Sequence, residues 1–564
     1  MTPLVRFCIR NPLITLTVTA ILVVWGWFAW TNKTVDAIPD ISENQTVVVT
    51  EWPGRSPQDV EDQITYPLAS KLAGVAGVKE VRGLSGFGFS QIYVVLQDKN
   101  RLFQSGVVQD FYDGRTRVLE KLASVQKELP PGVVPELGPD ATALGQIFMY
   151  TVEGPYDLAT LRSVQDWIVR YDLQTVPGVA EVSSVGGMVR EYQVDVDPNL
   201  LRHYGVGVMD VVRAIRGANI DVGAKTIEAA GMEYVVRGLG FIKNVRDVEE
   251  VIVGVASPTG FVPAAGMGMG PSMGTSMQMA GEAAPRGMGI PDAEQPVDAD
   301  LAHRPIRVRD LADVKIGPAF KRGTLADERT ELAGGIVVMR FGENPRDVIS
   351  AVRERVIFLN DPANGAMPEG VKIVPFYDRT QLINDTVETL ETALIDELWI
   401  TVLVVVVFLL HLRSSLIIAS TLPIAVLMSF IAMDALGVDS NIMSLTGIAI
   451  AIGTMVDMGI VMTETIYTAI VENQGRRRIV DVVEEAALEV APALATAIAT
   501  TIITFLPILF LTDMEGKLFR PLAWTKTFAL AGAAITGVLL VPVLCRLFLR
   551  DPSESVEETR GTWR

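Results

Sequence analysis

The sequence predicts an α-helical polytopic membrane protein with six transmembrane helices and a large α+β portion of βαβ or ferredoxin-like subdomains between helices 1 and 2. Three observations predict it. Mean hydropathy is +0.33 although 20% of the 564 residues are charged, so apolar segments must be segregated from soluble ones. Apolar runs long enough to cross a bilayer cluster near the amino terminus and again after position 391. The stretch between them alternates short strand and helix patterns and echoes itself.

Charge and cysteine usage narrow the class. The formal net charge of −18 argues against nucleic-acid binding. An acidic surface tolerates cationic substrates, and solubility explains it equally well. The only cysteines, Cys8 and Cys545, fall at the ends of predicted membrane helices. That excludes a disulfide framework and a thiolate metal cluster in the soluble part. No nucleophile–base–orienter set and no oxygen or nitrogen metal motif occurs, so an enzyme is not expected.

Arg6 and Arg10 precede the apolar run Leu13–Trp30, after which no small-residue cleavage site follows. It reads as an uncleaved first membrane helix, with Trp25, Trp27 and Trp30 approaching the far interface. Asp36–Glu391 then forms the soluble insertion. Thr46–Glu51 is β-branched and strand-like, Pro53-Gly54 makes a turn, and Ser56 caps a helix that begins at Pro57 with Asp59 in its first turn. Gly77-Val78-Lys79-Glu80-Val81 follows that helix and precedes the strand Gln91–Gln97. The phrase returns as Gly178-Val179-Ala180-Glu181-Val182, followed by the strand Glu191–Val196. A second echo links Leu129-Pro130-Pro131-Gly132-Val133 with Met367-Pro368-Glu369-Gly370-Val371. Internal duplication of a βαβ-type unit accounts for both.

Gly260–Arg304 breaks the pattern. It is rich in Gly, Pro, Ala and Met and reads as a flexible, enlarged hairpin tip between the strand-like segments Val248–Ala256 and Pro305–Val308. It holds Met267, Met269, Met273, Met277, Met279 and Met288. Thioether sulfur is soft and suits Cu(I), and it does not form disulfides in an oxidising compartment. A low-complexity insertion with incidental methionines fits the same composition.

The remaining spans are read as Leu398–Leu412, Leu416–Leu436, Asn441–Ala469, Ala493–Leu511 and Thr527–Leu549, with Asp513–Pro521 as a short polar turn. Arg6, Arg10, Arg413, Arg476 to Arg478, Arg546 and Arg550 all fall on one side if six helices alternate, and that side is cytoplasmic. His411 then lies at the cytoplasmic interface with no special role. Gly447 and Gly453 allow close helix contact, and Pro423, Pro492 and Pro507 can kink their helices. Two carboxylates, Asp457 and Glu464, interrupt the fourth span. Burying an ionised Asp at a helix centre costs roughly 2.5–3.5 kcal/mol. Seven residues at about 100° each bring both acids to one helix face. A carboxyl held there faces a protein interior or a wet path, and desolvation raises its pKa so that it can carry a proton. For Glu464, nearer the helix end, a structural role fits as well.

Several motifs stand in this frame: Asp36-Ala37-Ile38-Pro39-Asp40, Trp52-Pro53-Gly54, Val81-Arg82-Gly83, Glu136-Leu137-Gly138-Pro139-Asp140, Tyr377-Asp378-Arg379 with Gln381-Leu382-Ile383, and Gly453-Thr454-Met455-Val456-Asp457. With them the whole chain resembles the amino-terminal half of a resistance–nodulation–division pump, in the heavy-metal efflux branch and nearest its copper/silver members. The resemblance implies proton-driven efflux of Cu(I) or Ag(I), with the metal as cargo and no cofactor. It implies a relay acid at Asp457, accompanied by Glu464 on the same face, and metal-path methionines at Met443 and Met455. Leu530 replaces a third methionine. Zinc/cobalt pumps carry a further acid where this chain has Ala451. The implied partners are a complementary carboxy-terminal half-chain, a periplasmic adaptor and an outer-membrane channel, in a trimer in the bacterial inner membrane. The implied division is 1–35 cytoplasmic start and first helix, 36–139 first porter subdomain, and 140–188 with 321–391 the second. Residues 189–320 form a docking-like part, 392–550 the remaining helices and 551–564 a cytoplasmic tail. Export of zinc, cobalt or amphiphiles, or a membrane-anchored metal-binding or assembly role without transport, are the alternatives.

Overall fold

The computed structural model describes residues 2–549 apart from 98–106, 230, 231, 239, 258, 259, 265–303, 322, 410, 474 and 475. It divides into two compact units, one of residues 1–155, 164–185 and 332–564, the other of residues 156–163 and 186–331.

In the first unit, α1 (Thr2–Arg10) and α2 (Pro12–Thr31) open the chain, and α3 (Arg379–Leu409), α4 (Leu412–Leu436), α5 (Ile442–Asn473), α6 (Ile479–Leu509), α7 (Asp513–Ile535) and α8 (Val541–Phe548) follow the soluble insertion. A single π-turn, Thr536–Leu540, joins α7 to α8. Among the described residues, five helices are long and apolar enough to cross a membrane: α2, α4, α5, α6 and the continuous stretch Asp513–Phe548. The span Leu398–Leu412, expected to start near Leu394 to reach spanning length, does lie in a longer helix, α3, which carries Asp396 and Glu397 and ends at Leu409, while Leu412 opens α4. Asp513–Pro521 is not a turn. It forms the first turns of α7, entered through Asp513 at φ 53°, whose carboxylate meets Lys79 at 2.8 Å. His411 does have a role, since its ring nitrogen accepts the Ser414 backbone N–H at the start of α4.

The soluble part of this unit repeats one plan. Gln45–Glu51, Val78–Gly86, Phe89–Leu96 and Pro135–Leu137 form an antiparallel sheet whose spatial order is second, third, first, fourth. Ser56 caps the helix at Pro57 as expected, and Asp59 completes a capping box there. Ile64, Leu68 and Leu72 of the helical segment 57–72 and Phe111 and Val118 of the helix Val107–Val125 pack on this sheet over Val48, Ile92 and Val94. Gln146–Glu153, Val179–Gly186, Glu331–Met339 and Lys372–Asp378 pair in the same order. The sequence echoes mark equivalent turns. Gly77 and Gly178 have φ of 91° and 83°, which favours glycine. Val133 N–H donates to Pro130 O and Val371 N–H to Pro368 O, each at 3.1 Å.

One strand assignment changes. The strand Arg190–Val196 is not the third strand of the second sheet; it pairs with Ala312–Pro318 in the second unit. The third strand is Glu331–Met339, reached only after the chain has built that unit. The second unit has its own core of Leu201, Val211, Val253, Ile306, Val308 and Leu311. There Val245–Glu249 is helical and the strand begins at Ile252, since Asn244 caps a helical turn through Asp247 N–H. Ile252–Ser257 pairs with Pro305–Arg307 and also with Gly260–Pro263, so the expected loop starts as a strand. Met267, Met269, Met273, Met277, Met279 and Met288 lie outside the described residues.

Candidate functional site

α5 carries each of Met443, Met455, Asp457 and Glu464. Its start is fixed locally. Asn441 Oδ1 accepts the N–H groups of Met443 and Ser444 at 3.1 and 3.0 Å, and Ser444 Oγ accepts Asn441 N–H at 2.8 Å. This is side-chain capping of an otherwise orphaned first turn.

The helix has two unlike sides. One packs into the bundle. Gly447 lies so close to α7 that an added Cβ would be 2.5 Å from Leu522 O, and Gly459 lies against Ile418 of α4. Sulfur is concentrated on this side. Met455, Met458 and Met462 are 3%, 5% and 0% exposed, and share one core with the fully buried Cys545 of α8 and with Leu530. Met458 faces Gly537, and Cys545 lies beside Thr463. The sequence reading named Met455 but missed Met458, Met462 and Cys545. The signal was the spacing: Met458 and Met462 follow Met455 by three and seven residues, which keeps the thioethers along one side of a helix. Met443 is half-buried near the helix start.

The other side is open. Ile450, Gly453, Asp457, Val461, Glu464 and Thr468 form a continuous exposed line, so within this chain Asp457 is not enclosed. Among the described residues nothing lies within 4 Å of a Cβ added at Gly453, contrary to the close packing expected of it. The outward side of α6 is mixed, with Thr496, Thr500 and Thr504 exposed beside Ile503 and Leu506 and each of these hydroxyls bonded to the carbonyl four residues back. By contrast α2 exposes Leu13, Ile14, Val18, Ile21 and Val24. A side with two carboxylates is costly against lipid. Beside Glu464, a groove of about 620 Å³ runs between the end of α5 and the start of α6, lined also by Glu472, Glu485, Glu489 and Arg477. Arg477 pairs with Glu485 at 2.6 Å.

At the helix's other end the soluble portion is tied to the bundle. Asp36 N–H donates to Ser440 O at 3.0 Å, and Ile442 N–H to Ala37 O at 3.2 Å. Arg379, 4% exposed, holds the Asp36 carboxylate at 2.9 Å and also reaches Leu144 O. Burial pushes the Asp36 carboxyl above its ordinary range against the pull of Arg379. Burial raises Asp439 likewise, opposed by Lys33.

The profile described as the AcrB/AcrD/AcrF family matches residues 4–261 and 292–563. The chain is 38% identical over 569 residues to the "Cation efflux system protein CusA" of Escherichia coli strain K12, covering 98% of this chain and 49% of that protein. It is 33% identical over 556 residues to the "Cobalt-zinc-cadmium resistance protein CzcA" of Cupriavidus metallidurans, covering 95% and 47%. A solved structure described as "a heavy metal efflux pump, crystal form II" superposes with a TM-score of 0.76 at 29% identity, over 96% of this chain and 48% of that one. The chain thus spans about half the length of the relatives it matches.

Proposed function

This chain belongs to the AcrB/AcrD/AcrF family, and from that premise we propose that it is the amino-terminal half of a proton-driven heavy-metal efflux pump that exports Cu(I) or Ag(I) and needs a complementary half-chain. One observation carries the reading: α5 buries thioethers on one side and leaves two carboxylates uncovered on the other. Soft thioethers suit monovalent copper or silver. The uncovered acids call for a protein partner rather than lipid, and a second half-bundle is the partner of matching size. Ala451, fully buried, adds no oxygen ligand that would favour zinc or cobalt. In this reading α3 supplies the sixth span, and the insertion faces the periplasm. Both termini are cytoplasmic, and the assembly is a trimer in the bacterial inner membrane with a periplasmic adaptor and an outer-membrane channel.

The test is silver and copper resistance in cells that express this chain alone, with a complementary carboxy-terminal half, or with that half and Asp457→Asn. Resistance is expected only from the unsubstituted pair. Resistance from the chain alone, or from the Asp457→Asn pair, defeats the split-pump reading or the relay assignment respectively.

A further inference from the structure

At the arginine-rich end of the bundle, α1 is built differently from the helices it touches. It is nine residues long and is separated from α2 by Asn11 alone, a non-helical residue followed by Pro12. Its underside, Val5 and Ile9, is buried in the same core as Met462, Ile466, Ile470 and Cys545. Its outer side exposes Leu4 and Phe7. An amphipathic helix of this kind lies along a membrane surface rather than across it.

Polar pins hold it down. Arg6 and Arg10 both reach the carboxylate of Glu484, at 2.8 and 3.0 Å, and Glu484 is 8% exposed. Arg546, the residue after Cys545, donates to the carbonyl of Ile9. α1 therefore contacts α6, the Thr536–Leu540 turn and α8, the last of which carries Cys545. The two arginine side chains are more than half exposed whereas that of Glu484 is 10% exposed, so the latch is open on its arginine side, and releasing it leaves a largely buried carboxylate unpaired.

We propose that α1 is a strap over this end of the sulfur-lined core, hinged at Asn11 and latched on Glu484, and that its release opens the core to the adjoining aqueous phase. The inference deepens the metal-path reading by naming where a soft cation enters. A permanent buttress would show the same contacts but would keep Cys545 sealed whether or not the latch is intact.

Thiol reactivity separates the two. Cys8→Ser leaves Cys545 as the single cysteine of the full chain. Membranes holding this variant are opened by freeze–thaw, so both faces meet a membrane-impermeant maleimide. Cys545 should label slowly in Cys8→Ser and at least about tenfold faster when Glu484→Gln is added. Arg6→Ala with Arg10→Ala should give the same acceleration, and answers the question if Glu484→Gln fails to insert. Glu485→Gln, an exposed neighbour outside the latch, should leave the rate unchanged. Equal rates in all variants, or acceleration by Glu485→Gln as well, overturn the strap. Labelling requires no transport, so a failed strap and a failed pump reading are told apart.

Discussion

Gly447 and Gly453 lie six residues apart on α5, and the structure gives alanine opposite consequences at the two. At Gly447 an added Cβ would sit 2.2 Å from Thr525 Oγ1 and 2.5 Å from Leu522 O. The hydroxyl can rotate away, but the carbonyl belongs to the backbone of α7. α5 and α7 must therefore separate, and overpacking of this kind costs about 1–3 kcal/mol. Replacing glycine by alanine inside a helix contributes about 1 kcal/mol in the opposite direction. Gly447→Ala should come out roughly 0–2 kcal/mol less stable than the parent. Gly453→Ala meets nothing and should keep the full gain of about 1 kcal/mol. Thermal melts of the two purified variants in one detergent measure the difference, and Gly447→Ala should melt lower by roughly 1–3 °C. Equal melting points would mean that α5 and α7 do not approach closely, and the assignment of a packed and an open side to α5 would fall with that contact. Gly453→Leu adds a functional arm: it should leave the lone chain stable yet block pairing with a complementary half.

Three further outcomes are expected. With its complementary half, Asp457→Asn should abolish proton-linked transport in reconstituted vesicles, whereas Glu464→Gln, nearer the helix end, should only reduce it. Asp439 has a carboxyl raised above its ordinary value of 3.8 by burial, so the folded chain takes up that proton more readily than the unfolded one. The stability it contributes is present below pH 3.8 and is lost as pH rises through the folded value. Asp439→Asn should therefore melt above the parent by a margin that widens from pH 4 to pH 7, and a constant margin would refute the assignment. A Gly260–Arg304 peptide should bind Cu(I) in preference to Zn(II) and lose that preference when its six methionines become leucine; titration of both peptides checks this.

The parts of this fold that were legible in the sequence are those fixed by local chemistry. Gly77 and Gly178 recur because each follows a helix where the chain must take positive φ before a strand, so the duplication shows as a repeated phrase. Ser56 and Asp59 could be read as a cap because the bonds span three residues. What was illegible depends on partners distant in sequence. Arg190–Val196 has strand character in any sheet, and nothing local says that it pairs with Ala312–Pro318 instead of joining the duplicated sheet. Asp513–Pro521 looks like a turn by polarity, yet Lys79 from the soluble sheet holds its first residue while the rest winds into α7. The openness of Gly453 and Asp457 could not be read at all, since a helix pattern names a face but not whether anything covers it.

That uncovered face bears on how a proton and a soft metal ion could be coupled in one half-pump. Met455 and Asp457 are two residues apart, which on a helix places them on nearly opposite sides. A single channel lined by both would have to wrap around α5. The structure needs no such path for the three buried thioethers: Met455, Met458 and Met462 lie with Cys545 inside the bundle, and the carboxylates lie outside it. The two chemistries also want different surroundings. A carboxylate changes charge cheaply only beside water or a counter-charge, while thioether sulfur loses little by being dry. On the proposed reading, coupling then runs through α5 as a rigid 32-residue element. Any rotation or tilt that changes what covers Asp457 also changes how Met458 and Met462 face Gly537 and Cys545. Two sites that bias one element are linked in free energy without touching each other.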